Sequence, residues 1–228
     1  MPGTALASTR QACVWMSAGV VGYRLCSRDF DCEHCLFDAA IRGPAGQQRG
    51  APEDRLYSAG HGWLMPLPDA TVWRIGLDAF ATSLLGSIAG VRRAGAGRDL
   101  RTGDVACLID PGIGELAVRA PLPCRPLRLN PALADRPDRL IAEPYDEGWL
   151  LEIAVTDLSG LLTFDSPAAA RDRFHFHLAR FTRTAALELI ASPGTAARLA
   201  LQAGRPLTDL GSLLGAARHL ELLRDFIH

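Results

Sequence analysis

Between Leu56 and about Leu158, apolar residues come in short runs rather than long helical stripes. The runs VWRIGL (72–77), VACLI (105–109) and LLEIAV (150–155) are separated by turn-forming residues. That pattern predicts many short strands in a compact β-rich domain. It changes after Ser159-Gly160. Ser166-Pro167 reads as a helix start, with serine as N-cap and proline in the first helical position. Phe174, Leu178, Phe181, Ala185 and Leu189 then recur at helical spacing and predict one buried face. Pro193-Gly194 ends that helix, a short one ends at Gly204, and Leu213 to Ile227 predicts a last amphipathic helix with Leu214, Ala217, Leu220 and Leu223 on its apolar side. Ahead of the strands, Gly43 to Pro52 (GPAGQQRGAP) has the composition of a flexible linker. The chain is thus expected to divide into a cysteine-rich segment (1–42), a linker (43–55), a β domain (56–158) and a helical extension (159–228).

Composition narrows the chemistry. All 24 basic residues counted as Lys+Arg are arginine, from Arg10 to Arg224, and the sequence contains no lysine. Lipoyl-lysine, biotinyl-lysine, a Schiff base and a P-loop lysine each need an ε-amino group that no other side chain supplies. A formal net charge of -1 and a pI near 6.6 give no electrostatic footprint for nucleic acid or an anionic membrane. No apolar run approaches the about 20 residues that a membrane helix requires. The apolar stretch Ala12 to Gly22 runs into Tyr23, Arg24 and Cys26 without a cleavage site. No signal peptide is read, so a cytoplasmic location is expected, where cysteines serve as ligands rather than disulfides.

Several motifs occur in one order along the central segment. Tyr57 precedes His61-Gly62-Trp63-Leu64; Ile75-Gly76-Leu77-Asp78 leads through Phe80-Ala81 to Leu85-Gly86; Asn130-Pro131-Ala132-Leu133 precedes Glu143-Pro144-Tyr145-Asp146-Glu147-Gly148-Trp149-Leu150. From Tyr57 to about Ile153 the chain resembles the glycine cleavage system H protein, whose members carry a tyrosine and a His-Glu-Trp strand. They continue with a Gly-Ile-Thr stretch leading to Leu-Gly-Asp, then Asn-x-x-Leu and an Asp-Pro-Tyr-Gly-Glu-Gly-Trp turn. The resemblance implies a mainly β fold, a barrel-sandwich hybrid of two small sheets packed face to face, here with appended α-helices. It also implies a hairpin tip bearing a lipoyl lysine. Counting forward from Gly103-Asp104 or backward from Pro121 reaches Ile113, within Asp110-Pro111-Gly112-Ile113-Gly114-Glu115. The hairpin is expected to be kept and the amine replaced by a hydrocarbon, so no lipoate is expected. In the Pro-Tyr-Asp-Glu-Gly-Trp turn, glycine is read as serving a positive-φ turn and tryptophan as core.

Four of the six cysteines, Cys13, Cys26, Cys32 and Cys35, fall in the pattern C-x12-C-x5-C-x2-C. A C-x2-C knuckle sets two sulfurs on one tight turn, and two further thiolates complete a tetrahedral site. Zinc suits that geometry and is the expected metal; an iron–sulfur cluster is the alternative. A segment of this size buries little core of its own, and a metal would staple it.

The remaining candidates are thinner. Cys107 lies in an apolar strand and reads as a structural thiol, whereas Cys124, between Pro123 and Arg125, reads as a more exposed loop thiol that could pair with His61. His61 itself reads as a hydrogen-bonded histidine at a strand edge. His175 and His177 are two apart on a predicted helix and cannot share a metal from it. The arginines at 171, 173, 180 and 183 read as the solvated face of that helix. No Ser-His-Asp signature or phosphate loop is present. The expected function is a non-enzymatic binding or scaffold protein holding protein partners, or self-associating through its C-terminal helices. The alternatives are a redox or metal-responsive protein carrying a cluster, and a thiol enzyme using Cys124.

Overall fold

The computed structural model of the chain describes residues 12–13, 16, 25–26, 30–31, 51–68, 71–94, 97–191 and 214–227, with backbone alone at 182, 186, 189 and 190. Its elements run β1 (Leu56–Tyr57), β2 (Gly62–Pro66), β3 (Val72–Leu77), α1 (Ala79–Leu84), β4 (Gly90–Arg93), β5 (Val105–Asp110), β6 (Leu116–Arg119), β7 (Cys124–Leu129), α2 (Ala132–Asp135), α3 (Arg139–Ala142), β8 (Leu151–Val155), a 3-10 turn (Ser159–Thr163), α4 (Pro167–Ala191) and α5 (Ala216–Phe226). The fold is mainly β with helices appended at the C-terminal end, as the sequence implies. Among the described residues no helix is long and apolar enough to cross a membrane.

Two antiparallel sheets enclose one core. Five strands pair in the order β1-β2-β3-β8-β7 and three in the order β4-β5-β6. Alternation decides which side chains meet: Leu64, Ile75, Leu151 and Ile153 of the larger sheet and Ile109, Leu116 and Val118 of the smaller are buried in a single apolar cluster. β7 is the edge of the larger sheet, which is why it tolerates Pro126, a residue with no ladder donor. A register shift between Pro126 and Arg128 leaves Leu127 outside the ladder and 42% exposed.

The opposite face of the larger sheet carries an ion-paired cluster. Glu152 on β8 stands in register with Arg74 on β3 and Arg128 on β7. Its carboxylate accepts from Arg74 Nε at 3.2 Å and Arg128 Nε at 2.5 Å, and both guanidinium groups lie over the Trp149 ring. A second small cluster closes the start of the domain: Ala51, Tyr57, Trp63, Tyr145, Trp149 and Ala170 pack together. Arg55 lies over Trp63 and donates to the Tyr145 carbonyl at 2.8 Å. Ala51 and Arg55 are both buried, so the described end of the expected linker packs on the barrel.

Two glycines are fixed by close approach. Gly76 stands opposite Trp63 across β2 and β3, and a Cβ there would lie 2.5 Å from Trp63 Cε2. The indole Nε1–H donates to both the Leu77 and Pro144 carbonyls, which pins the ring against Gly76. At Gly148 a Cβ would meet the Arg139 carbonyl oxygen at 2.6 Å and that of Glu143 at 2.7 Å. Gly148 is absent from the positive-φ glycines. The Tyr-Asp-Glu-Gly-Trp turn therefore needs its glycine for backbone packing on α3, not for a left-handed conformation.

α4 starts at Pro167, with Ser166 Oγ accepting from Ala169 N–H at 3.3 Å, as the sequence predicts. Phe181 and Ala185 are buried, with Phe174 and Leu178 partly so; the Leu189 side chain and the elements predicted at Pro193-Gly194 and Gly204 lie outside the described residues. α5 begins after Gly215 (φ 83), later than Leu213. Its inward face is His219, Leu220, Leu222, Leu223 and Phe226, while Ala217 is exposed.

Candidate functional site

The hairpin joining β5 and β6 carries the position that the sequence singles out. Its turn is set by local chemistry: Asp110 Oδ1 accepts from Gly112 N–H at 2.7 Å, and Gly112 (φ 79) and Gly114 (φ 128) take up conformations that side chains rarely adopt. Ile113, between those glycines, packs against the main core instead of standing free at the tip. The next two residues of the turn meet α5. Leu220 lies directly over Gly114, with its Cδ2 2.5 Å from where a Cβ would be, and Arg224 Nη2 donates to the Glu115 carbonyl at 3.0 Å. Leu222, Leu223, Phe226 and Ile227 join the same apolar cluster as both sheets. Arg92 pairs with Glu115 at the rim, and Arg218 of α5 pairs with Glu188 of α4.

Beside this strap lies a polar chain that links three elements. His61 is fully buried at the entrance to β2, with a φ of 64, an uncommon conformation for a non-glycine residue. Its Nδ1 is 2.7 Å from Asp78 Oδ2, and its Nε2 is 2.7 Å from His177 Nδ1 on α4. Asp78 also caps α1, its Oδ1 accepting from Ala81 N–H at 2.9 Å. Both carboxylate oxygens are thus engaged. Phe80 stands against both imidazoles and Phe226 against that of His177. Burial, the His61 ring, and the guanidinium groups of Arg173 and Arg180 hold His177 below its ordinary pKa, against the opposing pull of Asp78.

His61 is therefore no strand-edge histidine. It is the buried middle member of an Asp–His–His chain, and its partner is 116 residues away. Helical phase was the signal that could have found His177: it lies three residues after Phe174 and four before Phe181, on the inward side, while His175 faces out and is exposed. Arg173 departs from the expected solvated face, pairing with Asp165 and donating to the Ser58 carbonyl at 2.8 Å. Arg171 reaches the Ala51 carbonyl and Glu53.

The sulfur residues divide into two groups. Cys124 is in β7 and fully buried, not in an exposed loop, and burial together with nearby Asp99 pushes its thiol up to about 11. Both nitrogens of His61 are taken by Asp78 and His177, so no Cys124–His61 pair forms. Cys107 is fully buried in β5 and pushed up to about 12 by burial. Of the expected metal ligands, Cys13 and Cys26 are described and Cys32 and Cys35 lie outside the described residues. Ala12 and Leu25 form an antiparallel bridge, which puts the adjacent Cys13 and Cys26 on one face as diagonal neighbours. Phe30 N–H donates to Cys26 Sγ at 3.2 Å. Among the described residues no group of three or more His, Cys, Asp or Glu side chains is arranged to hold a metal ion.

Residues 55–172 match the family model described as glycine cleavage H-protein. The glycine cleavage system H protein of Alteromonas mediterranea is 32% identical over 114 residues, 49% of this chain and 88% of that protein. That of Thermosynechococcus vestitus is 34% identical over 113 residues, 49% of this chain and 87% of that protein. Among solved structures, a glycine cleavage system H protein from Mycobacterium marinum is 28% identical, with a TM-score of 0.42, covering 46% of this chain and 86% of that one.

Proposed function

Because the chain belongs to the glycine cleavage H-protein family, we propose that it keeps the family's barrel as a protein-binding scaffold and has given up the carrier chemistry. The observation that carries this reading is the absence of lysine from the sequence, together with Ile113 packed on the core beside Gly114, on which α5 rests. A lipoyl arm needs an amine for its amide bond and open space in which to swing. The amine is absent, and the Ile113 side chain packs on the core. The hairpin face, with the helical extension laid over it, is the surface we assign to partner proteins; nucleic acid and membrane are not assigned, on charge and hydropathy.

Coexpression with a lipoate ligase and lipoic acid, followed by intact-mass measurement, tests the first half. The expected mass carries no lipoyl group, and Ile113→Lys in the full chain remains poorly modified while α5 covers the turn. A lipoyl adduct on the wild-type chain would overturn the reading. Co-purification from the native host tests the second half: a partner retained by the wild-type chain and lost on Leu220→Glu supports it, and no retained protein sinks it.

A metal-binding role for the N-terminal segment is the second reading. It is favoured by Cys13 and Cys26 sharing a face and by the amide hydrogen bond from Phe30 to Cys26 Sγ. With Cys32 and Cys35 the set would hold zinc, or alternatively an iron–sulfur cluster. Elemental analysis of anaerobically purified protein distinguishes these, and finding neither zinc nor iron removes the reading.

A further inference from the structure

α5 is held over the hairpin at three places. Leu220 rests on Gly114, Arg218 pairs with Glu188, and Phe226 closes on Phe181, Phe80 and His177 at ring-centroid distances of 5.2, 6.3 and 6.3 Å. The third contact stands directly on the Asp78–His61–His177 chain. Burial of apolar area by such a helix and the entropy of ordering it are of similar size, so a modest local change decides whether it stays.

The protons in the chain can be counted. Asp78 accepts through Oδ2, so His61 Nδ1 carries a hydrogen; between His61 Nε2 and His177 Nδ1, 2.7 Å apart, there is room for one more. With both rings neutral, His177 Nδ1–H donates to His61. With one added proton, His61 donates in both directions. With both rings charged, two N–H groups face each other and the bond is lost. The charged groups around His177 are Arg173 and Arg180 from its own helix and Asp78, with His61, from the barrel; α5 contributes the Phe226 ring. The single acid, Asp78, is already engaged by His61 and the α1 cap.

We propose that Asp78, His61 and His177 form an acid-sensitive latch, which keeps α5 closed over the β5–β6 hairpin near neutral pH and releases it when both imidazoles are charged. His177 is the member held below its ordinary value, so the closed state binds fewer protons than the open one. Closure is therefore favoured at neutral pH and weakens as pH falls below the ordinary histidine value of 6.5. Opening hydrates the second imidazolium, withdraws Phe226 and lifts Leu220 from Gly114. The latch stands independently of the partner surface proposed above.

Hydrogen–deuterium exchange of the full chain, at about pH 7.5 and about pH 5.5 with intrinsic rates corrected, tests the latch without partner or lipoate. Protection of residues 216–226 is expected to fall roughly tenfold or more at the lower pH while that of 151–155 is kept. His177→Gln, which keeps a polar contact but gains no charge, removes the response; His177→Phe, which packs against Phe226, is read in its place should the first variant misfold. Protection that ignores pH, parallel loss at 151–155, or an unchanged response in the variant overturns the proposal. None of these outcomes bears on lipoylation or partner retention, so the two proposals fail separately.

Discussion

Leu220 of α5 lies over Gly114 in the β5–β6 turn, its Cδ2 2.5 Å from the place a Cβ would take. The contact joins the far end of the chain to the turn that the family resemblance marks as the carrier position. It also couples two substitutions. Gly114→Ala is strained by the φ of 128 and by the clash, and should cost about 2–4 kcal/mol. Leu220→Ala alone should cost about 2–3 kcal/mol. The double variant should be less destabilised than the two together by roughly 1 kcal/mol, because removing the leucine relieves the clash. Denaturant unfolding of the three variants measures this, and simple additivity would mean that the contact is not formed.

Trp63 and Gly76 give a second steric test. Gly76→Ala places a methyl group in the indole, whose Nε1–H is tied to two carbonyls and cannot swing away freely. A loss of about 2–4 kcal/mol is expected, with a shift in tryptophan emission as the ring moves. Unchanged thermal stability would show that the ring has room the structure denies it.

Glu152 supplies a pH dependence with a defined sign. Its hydrogen bonds with Arg128 and Arg74 hold its carboxyl below the usual value of 4.5. A group depressed in the folded state contributes stability above its unfolded pKa and loses it as pH falls through the folded one. Wild-type stability should therefore decline below about pH 4.5 more steeply than that of Glu152→Gln, the variant being less stable at neutral pH by about 1–2 kcal/mol. Parallel curves for the two proteins would remove the carboxylate from the account.

Cys107 and Cys124 are predicted to be inert in the folded protein, since burial raises both thiols to about 12 and about 11. Alkylation mapped by peptide mass spectrometry at mildly alkaline pH should leave both unmodified until denaturant is added. Rapid labelling of Cys124 would reopen the thiol-enzyme alternative.

Much of the architecture was readable along the chain because it depends on near neighbours. Short apolar runs between turn-formers marked the strands, Ser166-Pro167 marked the start of α4, and the ordered Trp and Gly-Trp motifs placed the barrel. Contacts between distant segments were not readable. Gly148 looked like a turn residue because the α3 carbonyls that crowd it become visible only after folding. His61 looked like an edge histidine because Asp78 and His177 reach it from 17 and 116 residues away. Arg173 looked solvated because its partners, Asp165 and Ser58, meet it only where α4 crosses the barrel.

The sequence by itself determined what this protein lacks: without lysine, no position offers an ε-amine, whatever the fold. It also determined the β-rich core, since period-two alternation commits a strand to one buried face. Only the tertiary structure decided what stands in place of the amine. Ile113 is the residue there, packed on the core, and beside it lies α5, which the chain brings back from more than a hundred residues away to rest on Gly114. An amphipathic stripe specifies that a helix will be buried on one side, and carries no address for where.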